Sequence, residues 1–163
     1  MQNIILRIAD EKDIPALYRI AAAMKATHEP QYFERCFAEG RRTVVIAEDA
    51  GYALLNWEPT YTPFRRLGFP EIQDLNVVPA ARKAGVGGKL VGWCESLALQ
   101  EGKTDIGISV GLSSSYGAAQ RLYVKMGYVP DGAGIAYDDV PVAPGEMRAV
   151  DGLLTLKFVK SLS

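Results

Sequence analysis

Leu75-Asn76-Val77-Val78-Pro79-Ala80-Ala81-Arg82-Lys83-Ala84-Gly85-Val86-Gly87-Gly88-Lys89-Leu90 reads as a strand, a stop, a glycine-rich turn and the start of a helix. Pro79 stops the strand because it has no N–H to give to a ladder. A turn of this kind leaves several backbone N–H groups pointing outward at a helix N-terminus. Together with the helix dipole, those groups favour an anionic phosphate. Gly85, Gly87 and Gly88 put no Cβ in the way of its approach. Arg82 and Lys83 add positive charge beside it. Two commoner phosphate motifs fail on spacing: GxxxxGK[ST] finds Lys83 at its first glycine and Leu90 at its last position, and GxGxxG started at Gly85 finds Leu90 in place of its third glycine. The pattern indicates a phosphate-bearing ligand without identifying it, and it also suits a plain strand-to-helix turn.

Outward from this stretch, hydrophobic spacing assigns the rest of the chain. Ile4 to Ile8 reads as a first strand, and Asp13 can cap a helix that tolerates Pro15 in its first turn. Ile14, Leu17, Tyr18, Ala21 and Ala22 recur at helical spacing. His28-Glu29-Pro30 interrupts that helix, and a second, over Gln31 to Ala38, ends at Gly40. Thr43 to Ala47 and Tyr52 to Trp57 flank Glu48-Asp49-Ala50-Gly51, a hairpin signal. Glu58 to Pro70 reads as a loop. Ile72 to Val78 is a central strand. The helix after the turn carries Leu90, Val91, Cys94, Leu97 and Ala98 on one face, and Asp105 to Gly111 is the next strand. Ala119, Leu122, Tyr123 and Met126 give a further helix its stripe. Tyr128 to Val129 and Leu153 to Val159 are the last strands, with Asp131 to Asp151 loop-rich between them. The order β-α-α-β-β-β-α-β-α-β-β predicts an α/β (α+β) fold with a central mixed sheet and helices on both faces.

The 163 residues suit one domain over 1–163, and 48% hydrophobic with 23% charged residues is ordinary for a globular protein. A net charge of −1 gives no basic bias toward nucleic acid or a membrane surface. Met1 to Leu6 is too short for a signal peptide and lacks a positive flank. No apolar run approaches the roughly 18 residues of a spanning helix. Cys36 and Cys94 lie too far apart for a metal cluster and are too few for a disulfide framework, so each reads as a buried thiol in a reducing, cytoplasmic setting. No metal is expected. With a single histidine, His28, a Ser-His-Asp arrangement has little support.

Arg82-x-x-Gly85-x-Gly87, following Val77-x-Pro79, resembles motif A of the GCN5-related N-acetyltransferases (GNAT), whose core is [QR]-x-x-G-x-[GA]. A second block, Ala119-x-x-Leu122-Tyr123-x-x-Met126-Gly127-Tyr128, resembles that family's A-x-x-L-Y-x-x-x-G-F segment. The likeness spans Ile4 to Val159. It implies the GNAT acyl-CoA N-acyltransferase fold and an enzyme moving an acetyl group from acetyl-CoA to an amine. The coenzyme A pyrophosphate would lie on the amides of Arg82, Lys83, Ala84, Gly85, Val86, Gly87 and Gly88. The pantetheine arm would pair with Val77 like an extra strand, in a gap between the Leu75 and Ile108 strands. Gly107, Ser109 and Gly111 share one face of the latter strand, leaving room for a ligand or for a packed helix.

Acyl transfer from a thioester to an amine needs a proton acceptor for the amine, a donor for the oxyanion and a proton for the departing sulfur. By the resemblance, the N–H of Val77 or Val78 is the oxyanion donor and Tyr123 the general acid. Periodicity alone would make Tyr123 a core residue. Glu71, eleven residues before Arg82, matches the glutamate that serves some members as general base. Strict alternation puts Glu71 and Asp74 on opposite strand faces. The family often places an asparagine seven residues before the tyrosine; here that position is Tyr116, and the hydroxyl of Ser115 is the expected substitute. His28 borders the acceptor side in the family, but a lone loop histidine is usually solvated. Tyr61, Phe64, Arg65 and Arg66 would overhang the acceptor, where the arginines suit a carboxylate or phosphate, or they belong to a surface loop anchored by its aromatics. The acceptor is expected to be a small-molecule or peptide amine. A homodimer is compatible with the family. Two other readings stay open: a catalytically silent acyl-CoA sensor and a nucleotide-binding α/β protein.

Overall fold

The computed structural model describes residues 3–163; Met1 and Gln2, where the opening of the leader reading falls, lie outside the described residues. Its strands are β1 (Leu6–Ile8), β2 (Arg42–Ala47), β3 (Gly51–Asn56), β4 (Glu71–Val77), β5 (Asp105–Gly111), β6 (Val129–Tyr137), β7 (Val140–Pro141) and β8 (Leu154–Ser161). They form one eight-stranded sheet in the order β1-β2-β3-β4-β5-β8-β6-β7. Every neighbouring pair is antiparallel except β4 and β5. The helices are α1 (Ile14–Ala23), α2 (Tyr32–Glu39), α3 (Thr62–Leu67), α4 (Val86–Gln100) and α5 (Gly117–Lys125).

Two apolar layers sandwich the sheet, as alternation along its strands requires. On the back, Val45, Ala53, Leu55, Ile72, Ile106 and Ile108 meet Leu90, Val91, Cys94 and Ala98 of α4, and Tyr123 of α5 joins them. On the front, Val44, Ile46, Tyr52 and Leu54 meet Leu17, Ile20 and Ala21 of α1 and Phe33 and Cys36 of α2. Helices thus cover both faces, and both cysteines are buried and unpaired.

Two segments depart from the sequence reading. Glu58 to Pro70 is not all loop: Thr62–Leu67 is helical, with Pro63 in its first turn and Gly68 closing it at φ +74°. Pro63 stands where a helix start accepts proline. Asp131 to Asp151 holds most of β6 and all of β7. Between Pro130↔Phe158 and Ile135↔Leu156, the register of β6 against β8 slips over a wide bulge. Gly132 and Gly134, both at φ +82°, make that bulge and hide the strand from alternation.

Candidate active site

The parallel pair at the sheet centre is short. β4 and β5 are in register at Glu71↔Gly107 and Ile72↔Ile108 only, and then they part. On its other edge β4 carries a bulge. Tyr52 and Leu54 of β3 face Asn76 and Gln73, so Asp74 and Leu75 together oppose the single residue Ala53. Asp74 takes the strain, at φ +52°, a left-handed conformation that aspartate tolerates better than most residues. Past the bulge, Val78 N–H donates to Ala50 O at 2.8 Å. Since backbone groups alternate along an antiparallel ladder, those of Val77 face away from β3 into the gap. Leu75, unpaired in the bulge, joins them. Of the two amides offered by the sequence, Val78 is therefore not available: its N–H is held by Ala50 and its C=O accepts from Ala81. Leu75 was missed, because no spacing rule announces a bulge.

The turn that follows has the expected unpaired donors. Gly85 is the left-handed residue before α4, at φ +78°. The first backbone bond into the helix is Lys89 N–H to Gly85 O, which leaves Val86, Gly87 and Gly88 without backbone acceptors among the described residues. Lys83 is also left-handed, at φ +66°. Arg82, Lys83 and Lys89 are exposed and none forms an ion pair among the described residues. Two of the glycines also serve the fold itself. A Cβ on Gly87 would lie 3.3 Å from Leu122 Cδ2, so this glycine brings α4 close to α5, while Gly85 serves the backbone turn.

On α5, Tyr123 is 4% exposed. Burial alone pushes its hydroxyl above the ordinary range. Tyr52, Tyr61 and Tyr128 are also buried, but each donates to a carboxylate: Asp74, Asp131 and Glu95. Ser115 sits in the exposed turn before α5 and shares a 2.7 Å hydrogen bond with Ser113. Tyr116 lies where a Cβ on Gly111 would be, 2.3 Å from its ring, and Phe64 of α3 fills the corresponding space at Gly107. The small residues of β5 thus accept aromatic side chains. Ser109 accepts from Lys157.

The front face of β4 is polar. Glu71 is 1% exposed and its Oε2 lies 3.0 Å from Nζ of the equally buried Lys157 on β8. Lys157 also reaches Asp139 and lies over the Tyr61 ring. Gln73 donates to the other oxygen of Glu71. Burial raises the Glu71 carboxyl, and the ammonium of Lys157 and the Gln73 amide oppose that rise. Both oxygens of the expected base are thus hydrogen-bonded, one to Lys157 and the other to Gln73. The bulge also overturns the strict alternation expected of Glu71 and Asp74. Asn56 and Gln73 pair on the front, and the extra residue returns Asp74 to that side, beside Tyr52. His28 is not solvated: its side chain is 11% exposed, with Nε2 2.7 Å from Asp74 Oδ2. Tyr61 and Phe64 are buried at 1%, which makes them the aromatic anchor of α3, while Arg65 and Arg66 are exposed. No group of metal-ligating side chains occurs among the described residues, and no helix is long and apolar enough to cross a membrane.

The sequence model described as Acetyltransferase (GNAT) domain matches residues 39–130, which contain β4, the turn, α4 and Tyr123. No curated protein matches the chain in sequence. Among solved structures, yncA of Salmonella typhimurium, held with its cofactor acetyl-CoA, superimposes with a TM-score of 0.69 at 21% identity, over 99% of this chain and 95% of its own. The ribosomal-protein-alanine N-acetyltransferase of Brucella melitensis gives 0.69 at 20%, over 97% and 99%. An N-acetyltransferase of Staphylococcus aureus Mu50 gives 0.67 at 19%, over 99% and 100%.

Proposed function

The chain belongs to the GNAT acetyltransferase family, and from that premise we propose that it moves an acetyl group from acetyl-CoA directly to the amine of a small molecule or peptide. The observation that carries this reading is the open β4–β5 gap ending at a turn of unpaired amides. The diphosphate would rest on the amides between Lys83 and Gly88, with Arg82 and Lys83 neutralising its charge. The pantetheine arm would take the place of the missing strand neighbour beside Val77. The thioester carbonyl would then point at the N–H groups of Leu75 and Val77, which are fixed by the sheet and need no reorganisation as the oxyanion forms. A fold neighbour solved with acetyl-CoA supports that choice of co-substrate.

The chemistry assigned to acetyl-CoA is that of a thioester; the rest falls to this chain's residues. Tyr123 holds its proton through the neutral range, because burial disfavours the phenolate, and gives it to the departing sulfur. Glu71 anchors Lys157 under the acceptor side. Ser115 flanks the cofactor from the turn before α5. Two buried free thiols suit a reducing compartment such as the cytoplasm.

A second reading, an acyl-CoA sensor without turnover, is favoured by Tyr116 standing against Gly111 where the family often has asparagine. Thiol release from acetyl-CoA, measured over spermidine, lysine, an alanine-ended peptide and propylamine, separates the two. Release with at least one amine, above the rate with water, supports transfer. Calorimetric binding with no release on any of them leaves the sensor.

A further inference from the structure

We infer that His28, oriented by Asp74, is the group that takes the proton from the attacking amine; this rests on the transfer reading above. Asp74 Oδ2 receives the Tyr52 hydroxyl at 2.9 Å and lies 2.7 Å from His28 Nε2, while Oδ1 receives Asn76 Nδ2 at 2.8 Å. A carboxylate held by these donors can only accept, so Nε2 carries the imidazole proton and the lone pair is on Nδ1. The ring is stacked on Tyr32, centroids 4.2 Å apart, and tilted against Phe33 at 5.3 Å. Position, tautomer and ring plane are therefore all fixed.

The place of this pair makes it more than a structural contact. Asp74 is the left-handed residue of the bulge, and Leu75, the next residue, points its amide into the gap. The back of the gap is closed by α4 and α5. An amine must reach the thioester from the front, where His28 closes the loop between α1 and α2. Glu71, the other acidic group of that strand face, is occupied by Lys157 and Gln73. The charged and titratable groups around the imidazole are Asp74 of β4, Tyr52 of β3, Tyr18 of α1, Tyr32 and Cys36 of α2, Arg42 of β2 over the Tyr32 ring, and the neighbouring Glu29.

The step balances without another reactant. The amine nitrogen forms a bond to the acetyl carbon and passes its proton to Nδ1 of His28. The carbon–sulfur bond breaks, its electron pair stays on sulfur, and the sulfur takes the Tyr123 proton. The imidazolium then releases its proton to water, and water returns one to Tyr123. The products are an N-acetyl amine and free coenzyme A.

His28 is the only histidine, so its imidazole signals stand alone in a proton–nitrogen spectrum. In the wild-type protein those signals should shift when acetyl-CoA is added. Thiol release should rise with pH along the imidazole titration, read with the fastest amine of the panel or with water where none is faster. His28→Gln should lose that limb and about a hundredfold in rate, with calorimetric acetyl-CoA affinity retained. In Asp74→Asn, the rate limb and the imidazole midpoint should move together. Imidazole signals that ignore saturating acetyl-CoA, or a limb that survives His28→Gln, would overturn the inference. Loss of acetyl-CoA binding by the wild-type protein would instead sink the transfer reading itself.

Discussion

Among the described residues, Tyr123 is the buried tyrosine whose hydroxyl no carboxylate claims, and that difference turns a core residue into a candidate acid. Removing the hydroxyl takes away a proton and little packing. Tyr123→Phe should therefore lower thiol release at least tenfold and leave calorimetric acetyl-CoA affinity within about twofold; unchanged release would remove Tyr123 from the mechanism. Helical periodicity alone placed Tyr123 in the core, and the structure agrees with that placement. Only the motif around it suggested chemistry. Glu71 shows the reverse. Its spacing from Arg82 matched a base, but spacing says nothing of Lys157, which lies 86 residues away in sequence and occupies the carboxylate. The His28–Asp74 contact spans 46 residues and was equally invisible. Pairs of this kind depend on strand register, which no local pattern encodes.

At the scale of elements, the strands and helices with a regular stripe were legible, and those shaped by irregular backbone were not. Leu90, Val91, Cys94 and Ala98 announced the buried face of α4. The bulge in β4 and the wide bulge in β6 were silent because each breaks the period on which the reading relies. Helix α3 was masked by a proline that fits its first turn. Its seat is set by Gly107, where a Cβ would stand 2.3 Å from Phe64 Cε2. Gly107→Ala must displace the ring and should cost about 1–3 kcal/mol. Gly92, inside α4 with nothing within 4 Å of its added Cβ, should behave oppositely: Gly92→Ala gains about 0.5–1 kcal/mol from helix propensity. Urea unfolding of the two variants checks both signs. Equal effects would mean that α3 does not rest on β5 as described.

At the scale of the whole molecule, seven strand pairings leave one parallel contact, and that contact opens after two residue pairs. Hydrophobic helices seal its back, polar side chains line its front, and the α4 turn stands at its end. The order of elements predicted this mixed sheet from sequence, since hairpins come first and strand–helix–strand units follow. The β4–β5 gap and the amide-lined turn proposed for the cofactor lie within one continuous stretch, which is why the turn could be read locally. The residues proposed for the acceptor side run from His28, in the loop after α1, to Lys157 of β8, and their meeting could not be read that way.

The direct measurement is a crystal structure of the protein with acetyl-CoA. The diphosphate should lie within hydrogen-bonding distance of the amides of Gly85 to Gly88, the pantetheine arm along Val77, and the sulfur beside the Tyr123 hydroxyl. A cofactor bound anywhere outside the β4–β5 gap, with those amides facing only water, would contradict the account.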